Sequence, residues 1–160
     1  MADEKSATNQ TCPARVPAIQ DGPGDPRSHT QNGTWTPSLA AVIVIGDRRR
    51  DKPAPPRFVF EALTQPHSDP SRPWLSLLDD EQEPAIIEAK RPNLVVWGSL
   101  WPHRPTATIR FEIESDEAGG TSLRWVLEVE APEPDASAIG HMRKRINTLI
   151  NGELRYSFGQ

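Results

Sequence analysis

The stretch from Asp135 to Gln160, DASAIGHMRKRINTLINGELRYSFGQ, constrains the fold more than any other part of the chain. Ile139, Met142, Ile146, Leu149, Ile150 and Leu154 recur at helical spacing and draw one apolar stripe, with His141, Lys144, Thr148, Asn151 and Arg155 opposite. Such a helix owes most of its stability to packing that stripe against another element. Asp135 or Ser137 is placed to cap it. About twenty helical residues span roughly 30 Å. About nine residues of extended strand span the same roughly 30 Å. A sheet of ordinary strands can therefore cover the helix along its whole length.

The strands that could do so precede it. Thr106 to Glu114 alternates cleanly, with Ala107, Ile109, Phe111 and Ile113 on one face and Thr108, Arg110, Glu112 and Glu114 on the other. Asp116 to Gly120 reads as a turn, Gly119-Gly120 supplying positive φ. Leu123, Trp125, Leu127 and Val129 then face one way against Arg124, Glu128 and Glu130. Upstream, Leu94 to Trp101 reads as a strand closed by Pro102, and Pro84 to Ala89 as another, with the turn Arg91-Pro92-Asn93 between them. The outward side of Leu94, Val96 and Leu100 is apolar too, a face for the N-terminal tail or for a second copy of the chain in a homodimer.

Leu39 to Gly46 is an apolar, β-branched run that predicts a buried first strand, followed by the charged connection Asp47 to Lys52. Pro53, Pro55 and Pro56 set up a helix through Arg57 to Thr64, with Val59, Phe60 and Leu63 on one face and Pro66 beyond its end. Pro73 to Leu78 suits a second short helix carrying Trp74 and Leu77, before Asp79 to Gln82 turn the chain. The expected architecture is α+β: a curved antiparallel sheet of about five strands, two short helices after the first strand, and a long C-terminal helix against the sheet.

Residues 1–33 are polar and rich in Gly and Pro, almost without periodic apolar residues, and are expected to be a disordered tail before a domain at 34–160. Trp35 would pin that tail to the domain or cap a pocket. The net charge of −4 argues against nucleic acid as a partner. No charged start precedes an apolar run, and no run is long enough to span a bilayer, so a cytoplasmic protein is expected. Cys12 is the one cysteine, and the four histidines show no metal-ligand spacing. Phosphate-cradling, zinc-protease and nucleophile-elbow motifs are absent, so no metal, cofactor or catalytic motif is read.

Three strings carry a resemblance. APPRFVFEALTQP, IIEAKRPNLVVWGSLWP and ATIRFEIESDEAGGTSLRWVLE resemble the opening helix, the strand-turn-strand and the central hairpin of the START-related (SRPBCC) superfamily, over about residues 38 to 158. The resemblance implies a helix-grip fold. It also implies that the space between sheet and C-terminal helix holds apolar ligands, as in lipid carriers, hormone receptors, aromatic polyketide cyclases and chaperone activators. The family usually has six or seven strands. WLSLLDDEQ stands where one of them is expected here, which implies a smaller sheet and a reduced or more open cavity.

Trp97, Trp101, Phe111 and Trp125 are either core or the wall of an aromatic-lined cavity. With Met142 and Ile146 they make the expected binding wall for an apolar or aromatic small molecule. Glu153 falls inside the apolar stripe. It either points inward, to bind a ligand hydroxyl or pair with Arg110 or Arg124, or is turned outward where Gly152 distorts the helix. Glu153 and His103, at a strand end, are the candidates for moving a proton if the protein is a cyclase or dehydratase acting on a polyketide-like substrate. The remaining alternative is a protein-interaction module of the chaperone-activator type.

Overall fold

The computed structural model describes residues 40–159; the expected tail at 1–33, with Cys12, and Trp35 lie outside the described residues. Five strands form one sheet: β1 (Val42–Lys52), β2 (Ile86–Lys90), β3 (Leu94–Trp97), β4 (Thr108–Ser115) and β5 (Thr121–Glu130). Their spatial order is β1-β5-β4-β3-β2, with every neighbouring pair antiparallel. Helix α1 (Pro56–Thr64) follows β1. The C-terminal helix is continuous through α2 (Ala136–Thr148), a five-residue π-helical turn (Leu149–Glu153) and α3 (Leu154–Ser157). This is the α+β architecture read from the sequence, with the strand count that was expected.

One face of the sheet is core. Val95, Trp97, Ile109, Phe111, Ile113, Leu123, Trp125 and Leu127 are buried in one cluster with Val59, Phe60 and Leu63 of α1 and with Met142, Ile146, Leu149, Ile150 and Leu154 of the C-terminal helix. The period-2 and period-3.6 patterns meet there as their spacing requires. The other face is charged. Arg124 bridges Asp47 and Glu112, Arg110 pairs with Glu128, and Arg49 pairs with Glu114, so the ion pairs run across three strands. The hairpin turn forms as read, with Asp116 Oδ1 accepting from the Ala118 and Gly120 amides and Gly119 at φ 87°. Asp135 caps α2, accepting from the amides of Ser137 and Ala138.

Four expectations are corrected. First, β1 starts later than expected and runs on through Asp47–Lys52, which the apolar pattern assigns to a loop. Pairing with β5 along its length carries it there, with Asp47 and Arg49 on the charged face. Nor is the strand buried throughout, since Val42 at its start is 62% exposed on this sheet edge. Second, β3 ends at Trp97 rather than Trp101. The chain bends where the Gly98 amide donates to the Ala85 carbonyl (2.7 Å) and the Gln82 amide to the Leu100 carbonyl (2.7 Å). Third, that bend breaks the alternation, so Leu100 is buried while Leu94 and Val96 are half-buried on the outer face. Fourth, only one helix follows β1. Pro73–Leu78 forms no helix. Its adjacent residues Trp74 and Leu75 are both buried, and the amide and carbonyl of Ser76 bond to side chains of the C-terminal helix.

Candidate functional site

The non-helical segment Pro73–Gln82 lies against the far end of the C-terminal helix, and Arg145 is the reason. Arg145 sits three residues after Met142 and four before Leu149, in the middle of the apolar stripe, and its side chain is 8% exposed. It grips Glu81 in bidentate fashion: Nε to Oε1 at 2.7 Å and Nη2 to Oε2 at 2.8 Å. The Glu81 side chain is fully buried. Its Oε2 also accepts from the Leu78 amide at 3.0 Å. Nη2 of Arg145 donates to the Ser76 carbonyl, and Nη1 lies 3.5 Å from Glu153 Oε1. The hydrogen bonds that Arg145 donates to Glu81 raise its pKa above the usual arginine value, against the opposing effect of burial.

Glu153 completes the arrangement. Its Oε2 accepts from the Ser76 hydroxyl and, at 3.3 Å, from the Ser76 amide. The carboxylate is therefore neither adrift in the stripe nor paired with a strand arginine. Arg110 and Arg124 are committed to the outer face, and Glu153 is held by Arg145 and Ser76. Its side chain stays 27% exposed. The π turn contains Gly152, the residue expected to distort the helix here. One extra residue in the turn swings Glu153 off the stripe and toward the Ser76 segment.

Two clefts open around this corner. The first, of about 560 Å³, is lined by Arg72, Trp74, Ser76, Glu153, Tyr156 and Ser157 among others. The second, of about 460 Å³, is lined by Ala54, Phe58, Ala62, Trp74 and Phe158, with Glu61, Gln65, Asp69 and Arg72 supplying polar groups. They share Arg72, Trp74 and Ser157. Trp74 stacks on Trp97 at 6.0 Å between ring centroids, and Trp97 meets Phe111 edge-on at 4.8 Å. The Trp97 indole donates to the Leu63 carbonyl at the end of α1 (2.8 Å). A rigid aromatic stack thus runs from the clefts into the core.

The sequence-predicted residues divide accordingly. Trp97, Trp101, Phe111, Trp125, Met142 and Ile146 come together in the packed core, and none of them is among the residues lining these two clefts. Glu153 lines the first cleft. His103 is exposed and lines neither. Sequence reasoning missed Arg145, Glu81 and Ser76, and underrated Trp74. The signal for Arg145 was available: a guanidinium at the centre of an apolar stripe needs a buried partner. Nothing local pointed to Glu81, which lies 64 residues away.

No protein-family model and no curated protein matches the chain. Among solved structures, it is similar to CalU16 from Micromonospora echinospora, with 14% identity over 69% of this chain and 80% of that one and a TM-score of 0.51. It is equally similar to the protein of the Aha1 dimer from Colwellia psychrerythraea, with 14% identity over 72% of this chain and 93% of that one and a TM-score of 0.51. Together with the five-stranded antiparallel sheet and its C-terminal helix, these likenesses show the fold to be the helix-grip fold. Among the described residues no helix is long and apolar enough to cross a membrane.

Proposed function

We propose that this domain binds an apolar or aromatic small molecule in the cleft floored by Trp74, where α1 and the end of the C-terminal helix meet. The observation that carries this reading is the composition of the second cleft. Phe58, Trp74 and Phe158 line one space of about 460 Å³ beside a few polar groups, and Phe58 is left 44% exposed. Small-molecule sites are of this kind: apolar concavities of roughly 300–1,000 Å³ with a few polar groups that fix orientation. The ligand's apolar body would lie on Trp74, Phe58 and Phe158. A hydroxyl at its polar end would reach Ser76 and Glu153 through the adjoining cleft. Trp97 and Phe111 back the site through the aromatic stack, and Trp101, Trp125, Met142 and Ile146 hold that stack in place.

The cyclase or dehydratase reading uses the same site. It is favoured by one observation, that the Glu153 carboxylate lines a cleft and already holds a hydroxyl. In that reading Glu153 moves a proton on a bound polyketide-like substrate.

Native mass spectrometry of the protein from its own host, with titration of the neutral dye N-phenyl-naphthylamine, tests both. A co-purified small molecule is expected, as is a loss of dye affinity of roughly tenfold or more in Phe58→Asp, since burial of the apolar body drives binding. An empty protein whose dye affinity is the same in Phe58→Asp sinks the binding reading. Turnover of a polyketide-like substrate that Glu153→Gln abolishes, with dye binding retained, establishes the enzymatic one.

A further inference from the structure

The end of β1 carries a second constellation that the ligand cleft does not use. Arg48, Arg50 and Lys52 alternate with Asp47, Arg49 and Asp51, and they pair across the strands with Trp125, Leu123 and Thr121, all core-facing residues of β5. Cross-strand partners share a face. The three cations are therefore turned toward the C-terminal helix. The helix meets them with amides: Arg48 Nη1 donates to Asn147 Oδ1 at 2.9 Å, and Lys52 Nζ to Asn151 Oδ1 at 2.6 Å. Asn151 Nδ2 in turn donates to Asn147 Oδ1 at 2.8 Å. Arg143 lies beside Gly46, and Arg155 is close enough to repel the Lys52 ammonium.

Among the described residues, none of Arg48, Arg50, Lys52, Arg143 and Arg155 takes part in an ion pair. The contrast with the outer face of the same sheet is sharp, because there every strand arginine has a carboxylate partner. It is sharper still in a chain of net charge −4. Lys52 is 2% exposed, so its charge is not solvated in place of a partner. Asp51, its one acidic neighbour of note, lies on the opposite side of the strand and acts on it less than Arg155 and Arg50 do.

We propose that the seam between the end of β1 and the π turn is an anion site that takes the phosphate group of a small molecule or lipid, bound by Lys52, Arg50 and Arg155. Three cations with donors to spare, and neutral acceptors only, match a dianion better than a single carboxylate. Burial and the two guanidinium groups bring the Lys52 ammonium down to about 8, and a phosphate in the seam would reverse that repulsion. The π turn links this site to the cleft, since Asn151 and Glu153 flank Gly152 and are held by Lys52 and by Ser76 respectively.

Isothermal titration of the full chain with inorganic phosphate, and flotation with phosphatidylcholine vesicles with and without phosphatidate, test the proposal at ionic strength matched with chloride. Saturable phosphate binding is expected, weakened roughly tenfold or more by either Arg50→Gln or Arg155→Gln. Both side chains are exposed, so both variants should keep the wild-type circular dichroism and melting temperature in the absence of phosphate. A response to free phosphate identifies a soluble phosphoester as the source of the anion. A response to phosphatidate vesicles alone, lost in the same variants, identifies a lipid headgroup. No saturable response to either, or a response undiminished in the Arg50→Gln/Arg155→Gln double variant, overturns the proposal.

Discussion

Replacing Lys52 by Met should make the phosphate-free protein more stable while removing its response to phosphate. Burial, Arg155 and Arg50 bring the Lys52 pKa from 10.5 to about 8. That difference corresponds to about 3 kcal/mol against holding the charged side chain in the fold. Methionine fills a similar volume without the charge. It forfeits the 2.6 Å hydrogen bond to Asn151, worth about 1 kcal/mol, and water can replace that donor because Asn151 is only half-buried. The variant should therefore gain roughly 2 kcal/mol near pH 7.

The pH dependence gives the argument a second edge. The folded-state pKa of Lys52 is depressed, so between about pH 8 and 10.5 the unfolded chain keeps a proton that the folded protein has released. Wild-type stability therefore rises with pH across that window. Below it the cost of the charge is fully present; above it the cost is gone. The advantage of Lys52→Met should be largest below about pH 8 and should vanish by about pH 10.5. Urea unfolding followed by tryptophan fluorescence on both sides of the window measures it. A variant less stable than wild type near neutrality would refute the reasoning, as would a gain that does not change with pH.

Two further outcomes are expected. Arg145→Met should cost about 3–5 kcal/mol in urea unfolding, because it leaves the Glu81 carboxylate buried without a cation. Adding Glu81→Gln should restore part of that loss, and a cost of the single change below about 1 kcal/mol would show that the pair does not hold Pro73–Gln82. Gly140→Ala should stabilise the protein by about 1 kcal/mol, since the residue is exposed in the interior of α2 and a β-carbon there meets no atom within 4 Å. Chemical denaturation checks it, and a loss of stability would count against a regular α2 at that point.

The local periodicities of this chain determine most of its elements. The alternation in Thr108–Ser115 and Thr121–Glu130, the stripe from Met142 to Leu154, the Asp135 cap and the Asp116–Gly120 turn are all written in residues no more than a few positions apart. Each is dictated by which side of a strand or helix a side chain must occupy. Of the three strings that carry the resemblance, ATIRFEIESDEAGGTSLRWVLE runs through both of those strands and the turn between them, which is why that part of the fold was legible.

Tertiary structure decided what those periodicities leave open. Pro73–Leu78 has the composition of a short helix, but its backbone is claimed by Arg145 and Glu153 from 69 and 77 residues away. The run Asp47–Lys52 has the composition of a loop, yet pairing with β5 makes it strand and sorts its charges onto two faces. One face finds carboxylates and the other finds only amides. Glu153 is given its partner by a π turn and by a segment that no local pattern brings near it. A charge cannot be buried without compensation, so the apolar stripe by itself announces that Arg145 and Glu153 need partners, whereas the burial of Lys52 follows only from the pairing of β1 with β5. Which groups answer that need depends on distances that exist only once the chain has folded.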